Sequence, residues 1–76
     1  MAFVIESEVG QQTVQVGGEF ADIPTAAADA FQRLDLSRSI AGTAPRFRLV
    51  KVGENLTQAE SDLWASEALR LGFEVF

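Results

Sequence analysis

The side chains that most often perform catalysis or bind metal ions are missing from this chain. Its 76 residues include no His and no Cys, so the commonest general base and the imidazole and thiolate metal ligands are absent. The hydroxyls of Ser37, Ser39 and Thr43 therefore have no evident base to activate them. The sequence contains neither a phosphate-binding loop nor a calcium-binding loop. We predict a protein that is not an enzyme and that uses no cofactor or metal ion.

Carboxylates are the most frequent charged groups, with 11 Asp and Glu against 6 Lys and Arg and a net charge of −5. The charge is uneven, since residues 1–40 carry −4 and residues 57–76 carry −3, whereas residues 41–56 carry +2. An acidic chain repels nucleic-acid phosphates and anionic lipids. We therefore expect no direct binding to nucleic acid or to a membrane, and we expect a protein partner with a basic surface.

Six residues are candidates for binding that partner. Leu63 lies on the charged side of a predicted helix, where it is either an apolar anchor within an acidic surface or an ordinary exposed leucine. Glu6 and Glu8 share one face of a predicted strand, because side chains alternate along a strand. The alternative for the carboxylates is solvated surface charge. The six candidates are Glu6, Glu8, Asp22, Glu60, Leu63 and Glu67.

Arg46, Arg48 and Lys51 form the one basic cluster of the sequence. Arg46 and Arg48 share a strand face, so they could clamp a phosphate or a carboxylate through paired hydrogen bonds. The alternative is that they pair across strands with Glu6 and Glu8.

The apolar pattern predicts the elements that position these residues. Residues 2–8 and 12–17 predict two strands of a β-hairpin with Gly10 in its turn. Gly17-Gly18 is expected to end the second strand. Residues 46–52 predict a third strand that is apolar on both faces near its end, which is typical of an interior strand.

The first helix is predicted to have about 10 residues with one apolar stripe. Thr25 is the expected N-cap, and Pro24 is expected to prevent an earlier start. Residues 36–45 are predicted to form a loop held by Leu36 and Ile40. The stripe consists of Ala27, Ala30, Phe31 and Leu34, whose small members let the helix lie close to a sheet.

The second helix is predicted over Gln58–Leu71. Thr57 and Glu60 match a capping box at its start, and Gly72 stands where a left-handed residue ends a helix. Residues 73–76 predict a short last strand. The expected core stripe of this helix is Ser61, Trp64, Ala65, Ala68, Leu69 and Leu71.

The element order ββαβαβ predicts a single α+β domain over residues 1–76, a two-layer sandwich of about four strands with both helices on one face. The hairpin followed by a helix near Thr25 is similar to the β-grasp order of ubiquitin-like proteins. That alternative requires the last strand to pair in parallel with the first. The long helix at Gln58–Leu71 departs from the β-grasp pattern, and Glu74-Val75-Phe76 replaces the Gly-Gly tail used in conjugation.

The size, the acidity, the lack of Cys and His and the hairpin–helix start over residues 2–34 also resemble small acidic α+β proteins of bacteriophages, of the anti-CRISPR type. The resemblance implies a stand-alone inhibitor that covers a nucleic-acid-binding surface of a host complex. It implies no particular site residues, because that group has no shared motif.

Cytosol is the expected location, because residues 1–9 are too short and too charged for a signal peptide. The alternative function is a small structural or oligomerising protein that hides Phe73, Val75 and Phe76 at a subunit interface. A homodimer is compatible with either function.

Overall fold

A computed structural model describes residues 2–76, apart from the side chain of Val9. Over this range the chain forms four strands and two helices in the predicted order ββαβαβ. The strands are β1 (Phe3–Val9), β2 (Gln12–Phe20), β3 (Arg46–Lys51) and β4 (Glu74–Val75), and the helices are α1 (Ile23–Ala41) and α2 (Gln58–Leu71).

The four strands form one mixed sheet in the order β2-β1-β3-β4. β1 is antiparallel to both of its neighbours, and β4 runs parallel to β3. The prediction of a four-stranded sheet in an α+β fold is confirmed, as is the interior position of β3. The β-grasp alternative is wrong, because the crossover through α2 returns the chain beside β3 and leaves β2 and β3 as the neighbours of β1.

The core lies between one face of the sheet and the two helices. Phe3 and Ile5 of β1 point into it together with Phe47 and Leu49 of β3. Side chains two residues apart lie on the same face of a strand. The other face of β1 and β3 therefore carries Glu6 and Glu8 opposite Arg48 and Arg46, and the predicted shared faces of these pairs are confirmed. The helices contribute Ile23, Ala26, Ala27, Ala30, Leu34, Trp64 and Ala68, and Phe73 completes the core.

Helix α1 begins earlier than the sequence predicted. Its N-cap is Asp22, whose carboxylate accepts a hydrogen bond from the Thr25 N–H at 2.8 Å. Pro24 falls in the first turn, where its missing N–H costs no hydrogen bond. The prediction of Thr25 as N-cap is therefore wrong, because proline is well tolerated in a first turn and does not delay the helix.

Helix α1 also ends later than predicted, since it continues to Ala41 and stops at Gly42, which has φ 68°. The predicted loop over residues 36–45 is therefore wrong for its first six residues. Small and polar side chains are tolerated in a helix, whereas a left-handed glycine ends one. Leu36 and Ile40 do not hold a loop onto the core, since both are exposed on α1.

Strand β2 runs through Gly17-Gly18 instead of ending there. The pairing register with β1 shifts at this point, and Gly17 has φ 72°. The glycines therefore bend the strand, as in a β-bulge. A Cβ at Gly17 would lie 2.8 Å from Nη2 of Arg33. That atom is the end of a flexible side chain, so the positive φ is the stronger reason for glycine at this position.

Helix α2 has the predicted capping box and ends at Gly72, as predicted. Its buried side is narrower than expected, since Trp64 and Ala68 are buried but Leu69 is 86% exposed. Leu69 follows Trp64 by five residues and is rotated by about 140° at about 3.6 residues per turn. Ala65 is also exposed, so the prediction that these two residues belong to the core is wrong.

Candidate protein-binding site

The sheet face opposite the helices carries a ladder of ion pairs. Arg48 Nη2 donates to Glu6 Oε1 at 2.6 Å, and Arg46 Nε donates to Glu8 Oε1 at 2.8 Å. These residues are direct partners in the register of β1 and β3, so the predicted cross-strand pairing is confirmed. The two guanidinium groups also lie over the ring of Phe76, at 4.8 Å and 5.7 Å from its centroid.

The ladder changes the expectation for this face. Each of the two glutamates already has a cationic neighbour, which offsets much of the charge it would offer to a basic partner. Arg46 and Arg48 are likewise paired with carboxylates and lie over an aromatic ring. They are therefore not free to clamp a phosphate or a carboxylate of a ligand. Partner binding by Glu6 and Glu8 stays a prediction.

Two further candidate carboxylates have structural roles at helix starts. Asp22 caps α1, and the hydrogen bond from the Thr25 N–H holds the pKa of its carboxyl below the ordinary value. Glu60 accepts from the Thr57 N–H at 2.8 Å in the capping box of α2. It also lies 3.0 Å from Nζ of Lys51.

Lys51 is separated from the arginines with which the sequence grouped it. Its side chain lies on the helix side of the sheet and is buried, with Glu60 at 3.0 Å and Glu54 at 3.6 Å from Nζ. The hydrogen bond to Glu60 raises the pKa of the lysine above its ordinary value. Lys51 therefore joins β3 to the start of α2 and is not a surface contact.

The Glu60 contacts predict a pH dependence of stability. The Thr57 N–H, and after it Lys51, hold the pKa of Glu60 below its ordinary 4.5. The unfolded chain thus takes up this proton at higher pH than the folded chain, so the stabilisation is present above pH 4.5 and is lost as pH falls through the folded pKa. We expect Glu60→Gln to be less stable than the natural chain at neutral pH, with a difference that shrinks in acid. Urea unfolding of both at a series of pH values measures it, and a difference that does not vary with pH would contradict the assignment.

Leu63 is 42% exposed on α2, on the side of the helix where its sequence position put it. Glu67, one turn further on, accepts a hydrogen bond from Arg70 Nε at 3.1 Å. The leucine is thus exposed beside a paired charge. Partner binding by Leu63 and Glu67 stays a prediction.

The sequence did not predict a cleft of about 590 Å³ at the hairpin end of the core. Its walls are the second half of α1, the end of β1, the middle of β2, the segment that leads into β3, and the start of β3. Apolar side chains dominate the lining, with Ser7, Glu8, Arg33, Ser37 and Thr43 as the polar members. The apolar members are Val16, Leu36, Ala44, Pro45 and Phe47.

The cleft follows from two local features. Ser7 follows Phe3 and Ile5 on the core-facing side of β1, and its side chain is too small to fill the space beneath the helix. Leu34 is the last buried residue of α1, and beyond it the helix is no longer packed onto the sheet. A volume of this size falls within the range of known ligand and contact clefts, roughly 300–1,000 Å³.

Two exposed apolar residues stand beside the cleft on α1. Leu36 lines it and is 59% exposed, and Ile40 is 82% exposed. They are four residues apart and so lie on one side of the helix. Arg33 and Ser37 share that side, and Arg33 Nε is held by Asp29 at 2.6 Å. The i, i+4 spacing of Leu36 and Ile40 is the sequence signal for this surface. It indicates one helix face only if residues 36–41 are helical, whereas a loop was predicted there.

The fold thus belongs to the two-layer α+β class, with a cleft open at one end. No protein-family model, curated protein or solved structure matches this chain. Among residues 2–76, no group of three or more acidic side chains is placed to hold a metal ion. Neither helix found in that range combines the length and the apolar character needed to cross a membrane.

Proposed function

We propose that this protein works by binding another protein, and that the contact lies at the cleft beside the hairpin and its apolar rim. The observation that supports the proposal is the exposure of Leu36 and Ile40 next to an open, mostly apolar cavity. Neighbouring exposed apolar groups around a concavity are typical of contact surfaces, because burying them against a partner removes apolar area from water.

The partner segment that fits is apolar at its centre and basic at its flanks. An apolar side chain would fill the cleft against Val16 and Phe47, while the net charge of −5 favours the approach of a cationic protein. The finer form of the proposal is an inhibitor of the phage type that covers a nucleic-acid-binding surface of a host complex. Such surfaces are basic because they bind phosphates, so the acidity of this chain supports it.

Three leucine substitutions, compared with the natural chain, test the cleft. The chain is immobilised, exposed to a bacterial lysate and washed, and the captured protein is quantified for the natural chain, Leu36→Glu, Leu63→Glu and Leu69→Glu. All three substitutions place the same charge at an exposed leucine. We expect Leu36→Glu to reduce capture at least about tenfold, as for a central contact residue, and Leu69→Glu to leave it unchanged.

Other outcomes contradict the proposal in distinguishable ways. Loss of capture in Leu63→Glu alone would place the contact on α2, at the surface that the sequence favoured. Equal capture by all variants would show that the partner does not bind at the cleft. A captured protein that dissociates steeply with added salt supports a basic partner, because exposed charges are screened.

A further inference from the structure

The outer edge of the sheet is β2, and its first five residues, Gln12–Val16, lack the usual protection. Natural edge strands are shortened, charged or interrupted by proline, which prevents pairing with another strand. The opposite edge, β4, has only two residues. β2 has nine, and its stretch Gln12–Gly18 contains no charge and no proline.

The hydrogen bonds between β1 and β3 show which backbone groups of β2 are free. The Val52 N–H donates to the Ala2 carbonyl at 3.0 Å, which extends the β1–β3 ladder by one pair. In an antiparallel ladder the bonded positions alternate along the strand. Even-numbered positions of β1 therefore bond to β3, and odd-numbered positions bond to β2.

The register then fixes the orientation of β2. Ser7, at an odd position, is paired with Val14, so the backbone groups of Val14 point towards β1. The N–H and carbonyl groups of Thr13 and Gln15, on either side, point away from the sheet. Both residues are exposed, so two donors and two acceptors stand in a row at this edge.

We propose that two copies of this chain pair through β2 in antiparallel orientation and form one continuous sheet. A two-fold axis beside Val14 joins Thr13 of each copy to Gln15 of the other through backbone hydrogen bonds. The two Val14 side chains then face each other in a close, non-bonded pair, with Cα atoms about 4.5 Å apart. The 41% exposure of Val14 in the single chain is removed by this contact.

The uncharged edge of β2 avoids the repulsion that a second copy meets elsewhere on the surface. A chain of net charge −5 repels its copy over most of its surface, but no charge lies along Gln12–Val16. Like charges directly opposite one another, which destabilise strand pairs, are therefore absent from the self-paired edge. The bend at Gly17 limits the flat edge to these five positions, so we expect a dimer that dissociates on dilution.

Gln15→Pro and Gln15→Ala test the pairing. Proline removes the outward N–H of residue 15 without removing a bond to β1, and strands tolerate proline at such edge positions. Sedimentation velocity over micromolar to millimolar concentrations should show the natural chain and Gln15→Ala approaching twice the 8.2 kDa of one chain. Gln15→Pro should stay at the mass of one chain throughout.

Amide hydrogen exchange of the natural chain provides a readout that requires no variant to fold. The amides of Thr13 and Gln15 should become protected as the concentration rises, while that of Val14 should be protected throughout. Persistent single-chain mass at millimolar concentration, a dimer that survives Gln15→Pro, or free exchange at Thr13 and Gln15 in the dimer would each overturn the proposal. Protection of these amides only when a captured protein is added would assign the edge to that partner.

The dimer does not depend on binding at the cleft. A Gln15→Pro chain that is monomeric but still captures the partner shows that the two surfaces act separately. Failure of Leu36→Glu to reduce capture, with dimerisation intact, contradicts the cleft alone.

Discussion

Phe47→Ala is expected to lower the free energy of unfolding by about 3–5 kcal/mol. The Phe47 side chain is 1% exposed, and its ring contacts that of Phe73 edge to face at 5.9 Å between centroids. A domain of this length has a total stability of roughly 4–11 kcal/mol at about 0.05–0.15 kcal/mol per residue. The variant should therefore lose much of its stability, and the cleft should lose one of its walls.

Urea unfolding followed by far-ultraviolet circular dichroism measures this loss. Phe76→Ala is the matched control, since Phe76 is half-buried on the other face of the sheet, below Arg46 and Arg48. It should lose the cation–π contacts and a little apolar burial, about 1 kcal/mol. Similar losses in both variants would show that the core is not confined to the helix side of the sheet.

Ala30→Leu is expected to destabilise the chain by about 1–3 kcal/mol, because a larger side chain would be forced into a filled space. Ala26, Ala27 and Ala30 are all 0% exposed. Together they let α1 lie close to the sheet.

Ala28→Leu is the control on the same helix. Ala28 is exposed, so its substitution should change stability by less than about 0.5 kcal/mol. Thermal unfolding of the two variants beside the natural chain gives the comparison. An Ala30→Leu chain as stable as the natural one would mean that the space beneath α1 extends beyond the described cleft.

The sequence predicts the order of the elements because their signals are local. Alternation places Phe47 and Leu49 on one face of β3 and Arg48 on the other. The capping box at Thr57 predicts where α2 begins, and the glycine at position 72 predicts where it ends. Both signals act on residues close to them in the chain. The same local signals do not establish that β4 pairs with β3, which depends on where the crossover returns the chain.

The wrong predictions share a physical cause, which is that the outcome at each position depends on residues elsewhere in the chain. Residues 36–41 contain no helix breaker, and their small polar side chains suit a loop or an exposed helix equally. The left-handed cap at Gly42 therefore determines where α1 ends. Gly17-Gly18 can end a strand or bend it, and the outcome depends on whether β2 pairs with β1 again beyond the glycines, as Phe20 does with Phe3. Sequence position grouped Lys51 with the arginines, whereas its burial follows from the alternation along β3 and from Glu60 on α2.

The cleft could not be predicted from local signals, because its lining comes from β1, β2, β3, α1 and the segment before β3. Ser7 is a small lining residue at the place where α1 no longer packs on the sheet. Glu6 and Glu8 share a strand face, as predicted, but each is paired with an arginine there. Charges counted along a sequence do not reveal which of them are paired in space.

The most direct test of binding at the cleft is an amide chemical-shift map of the isotopically labelled chain, titrated with the protein that it captures. We predict that the largest shifts fall in residues 33–45 and at Ser7, Gly10 and Val16, which surround the cleft. Shifts confined to α2 around Leu63, or to Arg46 and Arg48 on the open sheet face, would contradict binding at the cleft.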